Sequence, residues 1–212
     1  MKMEFVLPSE IEKRSFEMIE SELPREIPSK EKPIVMRVIH ATADFDYCES
    51  LKFSENAVDL ALETIRNGAV FVTDTNMTKA GINKPALEKL GCTAECFMSD
   101  EETARAASEQ GITRATASVD IASRIEKPVI YAVGNAPTAL VRICELAERG
   151  SFTPAMVIGV PVGFVNVEYS KELLTRSGLP YIATMGRKGG STVAAAIINA
   201  LLYLAGGRSG CR

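Results

Sequence analysis

The chain contains a single histidine, His40, in the run Val38-Ile39-His40-Ala41-Thr42-Ala43-Asp44-Phe45-Asp46-Tyr47. Imidazole, with an ordinary pKa of about 6.5, readily gives and takes a proton near neutral pH. His40 is therefore the first candidate for any proton transfer by a side chain. A histidine in an arbitrary place is most often a satisfied core or surface residue. Here an apolar run precedes it, which places it at the edge of a core. Asp44, Asp46 and Tyr47 follow it and are able to orient the ring.

Three further sequences carry groups suited to ligand contact. They are Gly134-Asn135-Ala136-Pro137-Thr138, Gly159-Val160-Pro161-Val162-Gly163-Phe164-Val165 and Gly186-Arg187-Lys188-Gly189-Gly190-Ser191-Thr192. Each follows or ends an apolar run that reads as a strand. The third suits an anion best: Gly189 and Gly190 are expected to expose backbone N–H groups, a helix N-terminus follows at Ser191, and Arg187 and Lys188 add positive charge. Its lysine precedes the glycine pair, so it is not a Walker A loop. One glycine loop means only a tight turn. Three at the same sheet edge point to a ligand cleft. Arg114 opens a helix whose neighbours are small, which leaves room for a bulky ligand or another subunit. Ser15 lies four residues after Ile11 and faces inward on a first helix. Asp74 and Asn76 also follow a strand, but one Asp with an Asn is a thin basis for a Mg²⁺ or phosphoaspartate site. Gly-x-Ser-x-Gly, His-x-x-x-His and a dinucleotide fingerprint after the first strand are all missing, so serine hydrolysis, zinc proteolysis and NAD chemistry lack support.

The elements that must position these groups alternate. Ser9 and Glu12 form a capping box for a helix to about Leu23. Pro24 to Pro33 is a connector. Ile34, Val35, Val38 and Ile39 suit one helix face, though their β-branching leaves a strand possible. Ser54 caps a helix through Ile65 that Gly68 ends, and Ser99 with Glu102 caps another to Gln110. Helices are also expected over 85–90, 113–124, 137–150, 170–177 and 191–204. Apolar strands are expected over 69–73, 92–97, 128–133, 155–160 and 181–184. Continuous apolar strands between amphipathic helices predict a parallel sheet covered on both faces, which binds ligands beyond the carboxyl ends of its strands.

Composition sets the frame. A chain of 212 residues is one domain with a substantial core, with a helical segment over about 9–45 and an α/β core over about 54–205. A net charge of -3 and the absence of Trp argue against nucleic-acid binding by bulk charge or base stacking. The start, Met1 to Glu12, lacks the order of a signal peptide, and no apolar stretch is long enough to span a membrane. A cytoplasmic protein is expected. Five scattered cysteines (Cys48, Cys92, Cys96, Cys144, Cys211) are not a disulfide framework. Cys92 and Cys96 lack the partners that would complete a metal site, so reduced, mostly buried thiols and no structural metal are expected.

Four blocks, Arg37 to Asp44, Gly134 to Leu140, Gly159 to Val165 and Gly186 to Ser191, resemble the precorrin-8X methylmutase family, including its cobalt-precorrin-8 form. The resemblance spans nearly the whole chain, from Ser15-Phe16 to the last helix. It implies a homodimer of flavodoxin-like subunits with the active site near the subunit interface. It implies an isomerase of vitamin B12 synthesis that moves a methyl group from C11 to C12 of the corrin ring, giving cobyrinate or hydrogenobyrinate. By the same resemblance His40 matches the family's proton-transferring histidine, and Ser15 and Arg114 match residues lining its substrate pocket. Asn135, Gly163, Arg187, Gly189, Gly190 and Ser191 are the further substrate-binding candidates. No cofactor is implied, since any cobalt belongs to the substrate. A non-catalytic carrier of corrinoids on the same fold, which would need the rim donors but not His40, remains open at this point, as does a phosphate-dependent enzyme built on the Gly186–Ser191 loop.

Overall fold

The computed structural model describes residues 7–207, and a six-stranded sheet runs through them. Its strands are β1 (Leu51–Phe53), β2 (Val70–Thr73), β3 (Thr93–Glu95), β4 (Val129–Val133), β5 (Met156–Gly159) and β6 (Tyr181–Thr184). They lie in the order β1-β6-β5-β4-β2-β3. All neighbours are parallel except β1, which runs antiparallel to β6. The five parallel strands thus follow the flavodoxin-like order, with the strand order reversing between β2 and β4.

The helices are α1 (Pro8–Ser21), α2 (Lys32–Thr42), α3 (Tyr47–Ser50), α4 (Ala57–Arg66), α5 (Asn76–Gly81), α6 (Lys84–Lys89), α7 (Glu101–Gln110), α8 (Arg114–Ala122), α9 (Pro137–Glu148), α10 (Val167–Arg176) and α11 (Ser191–Ala205). Period-2 alternation divides the strand side chains between two cores. Phe71, Ile130, Ala132, Met156, Ile158 and Ile182 pack against α2, α4 and α11. Val70, Val72, Tyr131, Val133, Val157 and Ala183 pack against α8, α9 and α10. β2, β4 and β5 are buried on both faces, hence their unbroken apolar sequences. α11 is apolar almost all round because it is enclosed: it packs on the sheet and against α2, α4 and α5.

Residues 34–39 are helical. Their i, i+1, i+4, i+5 spacing puts Ile34, Val35, Val38 and Ile39 into the core, and Ala43 in the left-handed region ends α2. Three expected caps form differently. α1 begins two residues earlier than the Ser9–Glu12 box predicts, with Leu7 at N-cap and Pro8 at the first helical position. Ser54 does not cap α4; it extends the β1–β6 pairing, its amide donating to the Tyr181 carbonyl and its Oγ accepting from the Tyr181 amide. Asn56 in the left-handed region precedes α4 instead. Ser99 stands in a 3-10 turn and its Oγ accepts from Asn76 Nδ2, while Asp100 precedes α7. Cys48, Cys92, Cys96 and Cys144 are buried and free. Cys211, and the first six residues of the Met1–Glu12 segment considered above, lie outside the described residues. Among the described residues no helix is long and apolar enough to cross a membrane.

Candidate functional site

The loops after β2, β4, β5 and β6 meet beyond the carboxyl ends of their strands, and two buried charges tie them together. Asp74, just past β2, is fully buried. Its Oδ1 accepts from the Gly134 amide at 2.8 Å, and its Oδ2 accepts from the Asn135 and Ala136 amides at 2.8 and 2.7 Å. Burial raises its pKa, and the three amides pull in the opposite direction. The carboxylate thus fills the point where the strand order reverses and uses up the donors of the β4–α9 loop. A Mg²⁺ or phosphoaspartate role, weakly suggested by Asp74 and Asn76, finds both carboxylate oxygens buried and engaged by amides, and among the described residues no cluster of three or more His, Cys, Asp or Glu could hold a metal ion.

Lys171, on α10, is the second buried charge, with an exposure of 0%. Its Nζ donates to the Gly186 and Lys188 carbonyls at 2.7 and 2.8 Å and so shapes the β6–α11 loop from below. Burial pulls its pKa down to about 8. Above this lysine the glycines serve close approach. A Cβ on Gly189 would lie 2.2 Å from the Val160 carbonyl oxygen, and one on Gly134 would lie 2.9 Å from the Ser191 Cα. The Gly190 amide, expected to face an anion, donates to the Val160 carbonyl at 2.8 Å, and the Gly163 amide donates to the Arg187 carbonyl at 3.2 Å. Ser191 Oγ pairs with Thr75 Oγ1 at 2.8 Å. The anion-cradle expectation is corrected accordingly: the Gly190 amide joins two loops and is not available to a ligand.

What this edge presents outward is side chains. Asn135 and Arg187 are exposed, and so are Val162, Phe164, Val165 and Tyr169, with Phe164 at 81%. Arg187 leans over the Phe164 ring with its Cζ 5.5 Å from the centroid, and its Nε reaches Glu168 at 3.2 Å. The edge is therefore an apolar rim carrying one exposed guanidinium.

His40 occupies the last turn of α2 and is exposed. It lines an open groove of about 320 Å³ with Ser15, Met18, Ile19 and Glu22 from the α1 side and Ile39, Ala43 and Phe45 from its own. Its ring lies nearly parallel to that of Phe16, 14° apart with centroids at 5.0 Å. Among the described residues nothing hydrogen-bonds the imidazole. Asp44 and Asp46, expected as its orienting partners, are instead held by Lys188, whose Nζ donates to them at 2.7 and 2.5 Å. That hydrogen bond lowers the Asp44 pKa. Tyr47, the third candidate, is buried in the core. The Lys188 contacts set the turn after α2 beside the β6–α11 loop, so the groove adjoins the carboxyl edge.

Ser15 and His40 thus come together, with the Ser15 hydroxyl donating to the Ile11 carbonyl at 2.8 Å. Arg114 does not join them. It is exposed at the start of α8, on the other face of the sheet, where Thr113 caps the helix by accepting from the Thr116 amide. Asn135, Gly163, Arg187, Gly189, Gly190 and Ser191 lie along the carboxyl edge between them. The roles of Lys171, Phe16 and Phe164 were not legible in the sequence. A buried lysine on an amphipathic helix carries no local signal, and Phe16 and Phe164 read as ordinary apolar positions.

A flavodoxin-like sheet with an apolar carboxyl rim and an exposed imidazole in the adjoining groove defines an α/β protein with an open edge and a titratable ring beside it. The precorrin-8X methylmutase family model, CbiC, matches residues 10–204. A cobalt-precorrin-8 methylmutase of Salmonella typhimurium is 45% identical over 92% of this chain and 95% of its own length. One from Leptospira interrogans is 41% identical over 93% and 94%. The crystal structure of a precorrin-8x methyl mutase from Thermus thermophilus superposes with a TM-score of 0.86 at 38% identity, covering 93% of this chain and 98% of that one. The chain belongs to the precorrin-8X methylmutase family.

Proposed function

We propose that this chain is an isomerase that moves a methyl group from C11 to C12 of cobalt-precorrin-8, giving the cobalt-containing cobyrinate of vitamin B12 synthesis, with His40 as proton donor and acceptor to the ring. Family membership over nearly the whole chain supports the reaction. The observation that carries the role of His40 is its place in an open groove, where among the described residues nothing hydrogen-bonds its ring. An intramolecular shift needs no methyl donor. It needs the macrocycle held still and one proton delivered where charge develops. Proton delivery is worth about 10²–10⁴-fold, or roughly 3–5 kcal/mol of barrier. The substrate is broad, apolar and fringed with carboxylates. Phe164, Val165 and Val162 offer it apolar surface, and Arg187 and Asn135 offer rim donors. Cobalt enters as part of the substrate; the names of the two relatives quoted above favour the cobalt-containing form over the metal-free one.

His40 and Arg114 lie on opposite faces of one sheet. A second copy that supplied the arginine would bring both to one ring, and the reading accordingly includes a homodimer, working in the cytoplasm, with the site at its interface. The test incubates the protein with the cobalt-containing and metal-free substrates and follows absorbance, since a shift between ring carbons changes conjugation. Conversion of the cobalt form supports the reading. Tight binding without a spectral change would favour a carrier. Mixing inactive His40→Ala and Arg114→Ala proteins should restore activity through mixed dimers; no recovery after subunit exchange would place both residues at a site within one chain.

A further inference from the structure

We infer that Phe16 is the positioning residue for the His40 imidazole, holding its plane by stacking in place of a hydrogen bond. The inference rests on the methylmutase reading for its kinetic arm only. A proton-transferring imidazole is commonly oriented through a hydrogen bond at its second nitrogen. His40 has none among the described residues, and Asp44 and Asp46 are taken by Lys188. What touches the ring plane is Phe16, in the offset range of stable aromatic pairs.

Phe16 is itself fixed. It is 2% exposed, and the Arg37 guanidinium sits 4.6 Å from its ring centroid. Arg37 is three residues before His40, on the same face of α2. The Tyr203 ring of α11 holds the guanidinium at 5.1 Å, and Glu12 of α1 accepts from its Nη1. A stack of planes therefore runs from α11 through Arg37 and Phe16 to His40. It fixes the imidazole plane and, among the described residues, leaves both nitrogens without a hydrogen bond, one for the macrocycle and one for proton exchange with solvent. Misplacing a reacting group by about 1 Å costs on the order of 10²-fold in rate, so the plane of this ring matters.

The test uses the chain's single histidine, whose Hδ2 and Hε1 give one imidazole signature in the NMR spectrum of untagged protein. In the wild type these protons should be displaced by the Phe16 ring current. In Phe16→Leu, which keeps apolar volume, the displacement should vanish, kcat should fall by roughly 10- to 100-fold, and KM should stay within about threefold. Phe16→Tyr, which restores the ring, should recover most of kcat. On a His40→Ala background Phe16→Leu should cost little more, because the two act as a unit. Wild-type His40 signals at unshifted positions overturn the inference without any variant. So does a folded Phe16→Leu with wild-type kcat, or an equal loss with and without His40, which would make Phe16 a mere anchor for α1. If the wild type leaves cobalt-precorrin-8 unchanged, the methylmutase reading fails, and the NMR arm still decides the stacking.

Discussion

At the carboxyl edge of the sheet, backbone is tied to buried charge: Asp74 gathers three amides of the β4–α9 loop, and Lys171 gathers two carbonyls of the β6–α11 loop. In the groove between α1 and α2 the His40 ring is touched by an aromatic face and, among the described residues, by no hydrogen bond. On the proposed reading, the two regions divide the work that a rearrangement of a large ring requires. Loops that receive a rigid macrocycle gain from being preset, because ordering them at binding costs affinity. An imidazole that must trade a proton loses that freedom if a carboxylate already claims its nitrogen. The two carboxylates nearest it in sequence, Asp44 and Asp46, are instead paired with Lys188. On the proposed reading, rigidity lies under the substrate platform and reactivity beside it.

Three substitutions probe this division, beginning with the largest expected effect. Asp74→Ala leaves the Gly134, Asn135 and Ala136 amides unpaired and should lower stability by roughly 3 kcal/mol, the level of two or three buried unmade hydrogen bonds. Urea unfolding reads this; a loss under about 1 kcal/mol would mean that the loop stands without its anchor. Lys171→Met should cost about 2 kcal/mol through two orphaned carbonyls, and its pH dependence sharpens the comparison. The folded-state pKa of Lys171 is about 8 against an ordinary 10.5. Between those values the unfolded chain binds more protons at this site than the folded one, so this group's contribution to stability rises with pH. The margin of wild type over Lys171→Met should therefore widen from pH 8 to about 10.5. A margin that narrows would show that the ammonium, not the amine, is the better anchor. Lys188→Ala, which removes only exposed ion pairs, should leave the unfolding midpoint nearly unchanged. A large drop would make Lys188 a structural tie on a par with Lys171.

Much of this architecture is readable in the chain. The unbroken apolar runs of β2, β4, β5 and β6, each followed by glycine or a helix start, specify the parallel sheet and the edge where the loops collect. The histidine and Ser15 are found by residue type and spacing, and they do share a groove. What escapes is decided by contacts distant in sequence. β1 has three residues and exists because it pairs with β6, some 130 positions later. α5 is hidden because Asp74 and Asn76 draw attention as a thin ligand signal, whereas Thr75 between them is the helix cap. Serines at 54 and 99 fit capping patterns yet bond across the fold. Glycine pairs signal open amides, but the Gly190 amide closes on Val160. The separation of His40 from Arg114 by the sheet has no local trace at all.

The central claim is that one imidazole delivers the proton while the rest of the chain immobilises the macrocycle. His40→Ala, assayed for tetrapyrrole binding and for single-turnover conversion of cobalt-precorrin-8 in the same preparation, tests it most directly. Affinity close to wild type with conversion slowed by about 10²–10⁴-fold is the predicted result; conversion at the wild-type rate would contradict it.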